Sequence, residues 1–471
     1  MKKTSAYLLL AALATLGLGS CNKLIEGADI NPNAPLDAPS DQQLTAALIG
    51  EGFVMGGEAA RTASIFAGVF TGEDRQYSAL QNYTAALPDF DNMWTNSYYL
   101  TIQQARLVQE KARAVNNNQL LGIAQVVEAQ MIGTVTALWG DVPYSKAFVS
   151  GQAATFDAQR DVYAAIQSLL SDAITNLGKN GVSPGSRDIY YGGNPARWIA
   201  AARSLKARYY LHTARLTPVD YASAASEARL GITGSANDML MPYDGTLEKS
   251  VNPYYDFLDY NRGGYMSANT SYADSLLGSR NNAKTDESNR QDYFFDHRAG
   301  AANYFDVDPN FVDGAFAADA DFPLVTYVET RAILAEALLM QTAPDFTGAL
   351  AALNAIRTSN ATTYGGTGGR YLAYVAADFT AGGLLNSRSP ALSPSGALRK
   401  EILIEKYTSL VGQIENFNDV RRTNNLIGVP KNVASAPSLP QRFLIPQVEV
   451  NTNPNAPRNP PGVFVKTPVN N

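Results

Sequence analysis

Between Met241 and Phe322 the chain is crowded with aromatic rings set among polar groups. Tyr254, Tyr255, Phe257, Tyr260, Tyr265, Tyr272, Tyr293, Phe294, Phe295, Tyr304 and Phe305 are interleaved with Asn261, Arg262, Asn269, Asn289, Arg290 and Asp292. Flat apolar faces beside amide, carboxylate and guanidinium groups suit recognition of a sugar or a peptide: the rings stack and the polar groups fix orientation. A smaller group of the same kind, Arg75, Tyr77 and Tyr83, lies in the loop before Trp94. We expect ligand contact from Arg75, Tyr77, Tyr83, Tyr260, Asn261, Arg262, Tyr265 and Tyr293. The competing role for any one ring is burial, because aromatic residues dominate cores as well as sites. Trp94, Trp139 and Trp198, each at a helix end or on an apolar stripe, are expected in the core.

Other chemistries find less support. Asp306, Asp308, Asn310 and Asp313 alternate as oxygen ligands do at the opening of a calcium loop. Phe311 then stands where such a loop needs glycine and Ala317 where it needs a bidentate Glu, so a solvated acidic turn is expected, with no metal and no cofactor. The two histidines, His212 and His297, are far apart, which disfavours a histidine-rich zinc site and leaves few bases for a Ser-His-Asp triad. No catalytic residue is expected. A glycosidase would need two carboxylates flanking the bond; 43 acids leave that open, but no hydrolase motif accompanies them.

The elements that position these residues read as helices. Leu44, Ala47 and Leu48 recur at helical spacing behind Ser40, a capping residue, and predict a helix to about Met55. Trp94 to Val115 and Gln119 to Trp139, separated by Asn116-Asn117-Asn118, predict a helical hairpin. Asp157 to Leu177 repeats the pattern, and Asn194 with Pro195 fits the cap and first turn of a helix whose stripe includes Trp198, Leu205, Tyr209 and His212. Leu324 to Leu339 and Phe346 to Ile356 form another pair, close to the length of one tetratricopeptide unit, and Gly396 to about Gln413 adds a further helix. The fold class is therefore mainly α: tetratricopeptide-like hairpins, about four pairs, with a long loop-rich insertion at about 241–322.

The start of the chain differs in kind. Lys2 and Lys3 precede the apolar run Tyr7 to Leu18, which is too short to span a bilayer, and small residues lead to Cys21. Residues 1–20 read as a secretory signal. The ending resembles a lipobox, which implies lipidation of Cys21, the only cysteine in the chain. Residues 21–40, rich in Pro, Asn and Asp, suit an extended tether. Loss of Lys2 and Lys3 takes the formal net charge from −6 to about −8, so nucleic acid is a poor partner.

The lipobox, Asn31-Pro32-Asn33, Trp139-Gly140-Asp141-Val142-Pro143-Tyr144, Tyr327-Val328-Glu329, Ala335-Glu336-Ala337 and Glu415 to Thr423 together resemble the SusD/RagB family. The closing run Gln441 to Pro446, with Glu449 and Asn453-Pro454-Asn455, is similar to that family's C-terminal end. The resemblance implies an outer-membrane lipoprotein facing the cell exterior, with residues 41–471 as one SusD-like body. It implies a protein that captures a glycan or oligopeptide and passes it to a SusC-like TonB-dependent transporter, and a binder, not an enzyme. A surface glycan hydrolase and a helical-repeat scaffold that binds only proteins are the alternatives. Asp141, Pro143, Asp419, Arg421 and Arg422 of the shared motifs are expected to hold the scaffold.

Overall fold

Polar residues placed just ahead of apolar stripes start several of the long helices. In the computed structural model, which describes residues 38–298 and 304–471, they cap them with side-chain hydrogen bonds. The signal, Cys21 and the tether up to residue 37 lie outside the described residues. Helix α1 covers Ser40–Gly56 and α2 Glu58–Phe66. After a loop come α3 (Gln103–Ala114), α4 (Asn118–Trp139), α5 (Gln159–Leu177), α6 (Pro195–Thr213) and α7 (Asp220–Leu230). The array resumes with α8 (Tyr327–Met340), α9 (Phe346–Tyr364) and α10 (Pro394–Ser409), followed by the shorter α11 (Glu415–Arg422). Asn117 Oδ1 accepts the Leu120 N–H, Asn194 Oδ1 those of Ala196 and Arg197, Thr326 Oγ1 that of Glu329, Asp345 Oδ1 that of Gly348 and Ser393 Oγ that of Gly396.

Helices α3 to α10 form a row of four consecutive pairs in which each packs on the next, and α10 also packs on α8. The row has two apolar cores. The larger joins α1 to α6 with the insertion; the smaller lies among the C-terminal half of α6, α7, α8, α9 and α10. Helix α4 has the length and hydropathy of a membrane span, yet its neighbours in the row bury it.

Buried ion pairs tie the row together. Arg208 on α6 grips Glu329 on α8 through two hydrogen bonds of 2.7 and 2.5 Å. Arg422 on α11 holds Glu336 on α8 at 3.0 and 2.5 Å and Asp419 at 2.6 Å, while Lys406 on α10 reaches Asp419 at 2.9 Å. His212 bridges Tyr163 on α5 and Glu415 on α11 at 3.0 and 2.9 Å. The Trp139 indole donates to the Leu444 carbonyl at 2.7 Å, closing the C-terminal run over the end of α4. Asp419, Arg421 and Arg422 are buried, as a scaffold role requires, and so are all three tryptophans.

The insertion starts and ends at one place, because strand Met239–Met241 pairs antiparallel with Phe322–Val325 and sets Met241 opposite Phe322. Its interior is packed. Phe70, delivered by the loop after α2, meets Tyr254, Phe295 and Phe316 at ring separations of 5.8, 6.0 and 5.4 Å, and the Tyr254 hydroxyl donates to the Gly412 carbonyl.

Three local expectations change. Ser40 lies inside α1 and caps nothing; Pro39 precedes the helix. The helix expected from Trp94 begins at Asp91 and is interrupted by a π-helical turn, Ser97–Ile102, before α3. At that turn α1 comes so close that a Cβ on Gly50 would stand 2.5 Å from the Leu100 carbonyl oxygen, an approach only glycine permits. The Asp91 carboxylate, in the first turn of this helix, accepts the Val448 N–H of the C-terminal run. Helix α9 also runs on past Ile356 to Tyr364, where the ring packs on Tyr293 and Phe294 of the insertion.

Candidate functional site

Two-residue strands close the insertion into a cleft. Phe295–Asp296 pairs antiparallel with Asp308–Pro309, which brings Asp296 opposite Asp308. On the other side Pro253–Tyr255 opens a short helix, capped by Asn252, that widens into a π turn over Asp256–Asn261. Between them lies a cleft of about 700 Å³ lined by Asp244, Gly245, Tyr255, Asp259, Asp296, Tyr304, Pro309, Phe311, Val312, Ala317, Ala318 and Asp319. Tyr255 and Phe311 meet edge to face at 6.5 Å. Tyr304 is 50% exposed, its hydroxyl donates to the Asp259 carbonyl at 3.2 Å, and its ring covers Gly263, where a Cβ would fall 2.1 Å from Tyr304 Cζ.

The polar groups of this cleft are almost all acceptors. Among the described residues, none that lines it is Lys, Arg, Asn or Gln. Hydrogen bonds from Thr246 and Ser250 hold the Asp244 carboxyl below its ordinary range. Arg298 pairs with Asp296 at 2.8 Å and reaches Asp313 at 3.3 Å. Behind the lining, Asp308 is 1% exposed. Its Oδ2 accepts the Tyr304 and Phe305 N–H groups at 2.6 and 3.1 Å, while its Oδ1 has no partner among the described residues. Burial, reinforced by the charges of Asp296 and Asp259, pushes its carboxyl up to about 6. Three rings and four carboxylates around a cavity of this size can hold a ligand that offers apolar faces and hydrogen-bond donors.

The residues predicted from sequence fall around this cleft, not in it. Tyr77 is 0% exposed: its hydroxyl accepts from Arg61 Nε at 2.6 Å and its ring packs on Phe257, so it is a core residue. Tyr83 is half-buried against Phe66 and Phe464, and its hydroxyl accepts the Asn432 N–H, a structural role. Arg75 is exposed beside Asp74 at 3.5 Å, away from the lining. Tyr260, Asn261 and Arg262 are exposed on the loop that backs Tyr304; the Tyr260 hydroxyl is 3.4 Å from Glu248, Asn261 bonds to Asp256 and Arg262 to the Asn261 carbonyl. Tyr265 packs on Phe257. Tyr293 lines a second cleft of about 500 Å³ with Asp238, Phe316 and Tyr364.

The cleft lies in and beside the segment singled out from the sequence, but its lining residues Asp244, Tyr255, Asp259, Asp296, Tyr304, Phe311 and Asp319 are not among those predicted to touch ligand. No periodicity marks strands of two residues, so the pairing that sets Asp296 against Asp308 had no signal to read. In the acidic turn, Asn310 Oδ1 accepts the Val312 and Asp313 N–H groups and Asp313 Oδ1 accepts from Asn310 and Arg298. The described residues hold no group of three or more His, Cys, Asp or Glu arranged for a metal.

The SusD-like family model, described as starch-binding and associating with the outer membrane, matches residues 33–446. No curated protein matches the chain. Among solved structures, a SusD/RagB family protein from Bacteroides thetaiotaomicron is 21% identical, with a TM-score of 0.64 over 89% of this chain and 95% of that one. A chitin-binding SusD homologue from Flavobacterium johnsoniae is 16% identical, with a TM-score of 0.67 over 87% and 93%. A SusD homologue from Bacteroides uniformis is 19% identical, with a TM-score of 0.65 over 92% and 100%. These likenesses describe the fold.

Proposed function

The chain belongs to the SusD-like family, and from that premise we propose that it is a glycan-capturing protein of the outer membrane. Its ligand lies in the cleft of Tyr255, Tyr304 and Phe311, and it is handed to a SusC-like TonB-dependent transporter. Lipidated Cys21 and the tether of residues 21–40 hold the body outside the cell. The observation that carries this reading is the cleft itself, about 700 Å³ and lined by both apolar rings and hydrogen-bond acceptors. A pyranose ring offers the complement: C–H faces to cover the aromatic rings and hydroxyls to donate to carboxylates. An oligopeptide would use the same rings through its side chains and the same acceptors through its N–H groups. The chitin-binding relative makes chitooligosaccharides the first glycans to try.

The reading is capture without turnover. Asp308, whose carboxyl burial pushes up to about 6, is the nearest thing to a general acid, but it is 1% exposed and its Oδ2 is committed to two backbone N–H groups. It is poorly placed to protonate a leaving oxygen.

The test is calorimetric titration of the protein lacking residues 1–21 with malto- and chitooligosaccharides, alongside peptide mixtures, with chromatography of the products. Saturable binding of a glycan that is recovered intact supports the proposal. Cleaved glycan makes the protein a hydrolase, and a peptide-only response moves the ligand class. Palmitate labelling of Cys21 and co-purification of a TonB-dependent barrel from detergent extracts test the anchor and the partner; absence of either removes that part.

A further inference from the structure

The cleft is more one-sided than capture of a neutral glycan requires. Asp244, Asp259, Asp296 and Asp319 line it, and no lining residue among the described residues is cationic; Arg298 pairs with both oxygens of Asp296, which leaves Asp244, Asp259 and Asp319 as the carboxylates open to a ligand cation. Beneath them Asp308 keeps one oxygen, Oδ1, without a partner among the described residues although the residue is 1% exposed. A buried acceptor left unmade costs free energy, and carboxylates covered by a neutral ring lose water without gaining a counter-charge. Tyr304 ties this group to the cavity: its N–H donates to Asp308 Oδ2, its hydroxyl to the Asp259 carbonyl, and its ring forms the wall. What the cavity lacks is therefore donors that carry positive charge, presented between aromatic faces.

We propose that the ligand of this cleft is an oligosaccharide bearing free, protonated amino groups. Its sugar faces lie against Tyr255, Tyr304 and Phe311, and its ammonium groups lie among Asp244, Asp259 and Asp319. The inference rests on the glycan-capture reading and narrows it. Anionic oligosaccharides are rejected by the same charges, and N-acetylated ones make the ring contacts without the ion pairs.

The experiment compares three probes on the protein lacking residues 1–21: a de-N-acetylated chitohexaose, its fully N-acetylated counterpart and an oligogalacturonate of equal length. It is run below the pKa of the sugar amine, at low and at high salt. The de-N-acetylated probe is expected to bind about tenfold more tightly than the acetylated one, an advantage that shrinks as the salt is raised, because exposed charge pairs are screened. The oligogalacturonate is expected not to bind. Replacing Asp259→Asn together with Asp319→Asn is expected to abolish the tenfold preference, because the de-N-acetylated probe loses far more affinity than the acetylated one, while the melting temperature is unchanged. Equal or tighter binding of the acetylated probe overturns the amine inference and leaves glycan capture standing. A preference insensitive to salt or to the two substitutions overturns the assignment to these carboxylates. Failure of every oligosaccharide, including neutral ones, removes both readings.

Discussion

Gly263→Ala is the sharpest probe of the cleft, because Gly263 does not line it and acts only through Tyr304. A Cβ there would stand 2.1 Å from Tyr304 Cζ, 2.3 Å from Cε1 and 2.3 Å from the hydroxyl oxygen. Those atoms are the far end of a rotatable side chain, so the ring swings away and the backbone stays. The hydrogen bond from Tyr304 to the Asp259 carbonyl goes with it. Tyr304 is 50% exposed, so a ligand ring covers roughly 50 Å² of it, which at about 25 cal/mol per Å² is about 1.2 kcal/mol. Dissociation constants for the best oligosaccharide of the calorimetric panel are then expected to rise about eightfold. Since the ring is half-exposed in the free protein, stability changes by less than about 1 kcal/mol. Tyr304→Ala is expected to weaken binding at least as much, and the double variant no more than Tyr304→Ala alone, because both remove one contact. Wild-type affinity in Gly263→Ala, or additive losses in the double variant, would refute the placement of Tyr304 against the ligand.

Two further predictions concern the scaffold. Glu405 on α10 accepts from Arg290, Arg280 and Asn360 at 2.8, 3.0 and 2.6 Å, and these guanidinium groups hold its carboxyl, buried as it is, down at about 2. Glu405→Gln leaves buried cations undercompensated and is expected to cost about 3 to 5 kcal/mol, seen as a melting temperature lower by several degrees. Because the folded value of Glu405, like that of Glu336, lies near 2 and the ordinary value is 4.5, their contribution is present above about pH 4.5 and is lost as the pH falls towards 2. Denaturant titrations from pH 6 to pH 3 should show a steeper loss in the wild type than in Glu405→Gln; parallel curves would deny the charge its role. Glu51 on α1 has the opposite sign: it is fully buried, neither carboxylate oxygen has a hydrogen-bond partner among the described residues, and burial pushes its carboxyl up to about 8 against an ordinary 4.5. Stability is then lost as the pH rises from about 4.5 through 8, and Glu51→Gln is expected to be more stable than wild type by up to about 3 kcal/mol near pH 7 and equal to it at pH 4. An equal difference at both pH values would show that packing, not ionisation, sets the effect.

The parts of the fold that were legible in the sequence are those written in local chemistry. Asn194 and Pro195 read as a helix start because capping depends on one side chain and the next few N–H groups, and they start α6. The spacing of Leu120, Ile123, Val127, Met131 and Val135 placed α4 to within a residue, since an apolar stripe must face a neighbour. Even the ends of the insertion, Met241 and Phe322, proved to be opposite each other in a strand pair. What escaped was every feature set by contacts distant in sequence. The π turn at Ser97–Ile102 depends on Gly50 of another helix, and the fate of Tyr77 depends on Arg61 and Phe257. A tyrosine beside an arginine looks the same in a sequence whether it faces ligand or core.

The motifs that carry the family resemblance and the residues that line the cleft are different sets, and the physics of each explains why. Glu329, Glu336, Asp419 and Arg422 are buried ion-pair partners whose geometry locks α6, α8, α10 and α11 together. Change to any one strands a partner charge in a medium that cannot solvate it. Asp244, Asp259, Tyr304 and Asp319 lie on loops, bends and a π turn, where the side chains line an open cavity. On the proposed reading, a substitution there removes a ligand contact and little else. The insertion can therefore take new ligand chemistry without loosening the row of helices, because its base is fixed independently by the Met241 to Phe322 pair and by the Tyr254 hydroxyl on Gly412. On the proposed reading, the family motifs can match from end to end while ligand preference follows the charges around one cavity. In this chain those charges are carboxylates.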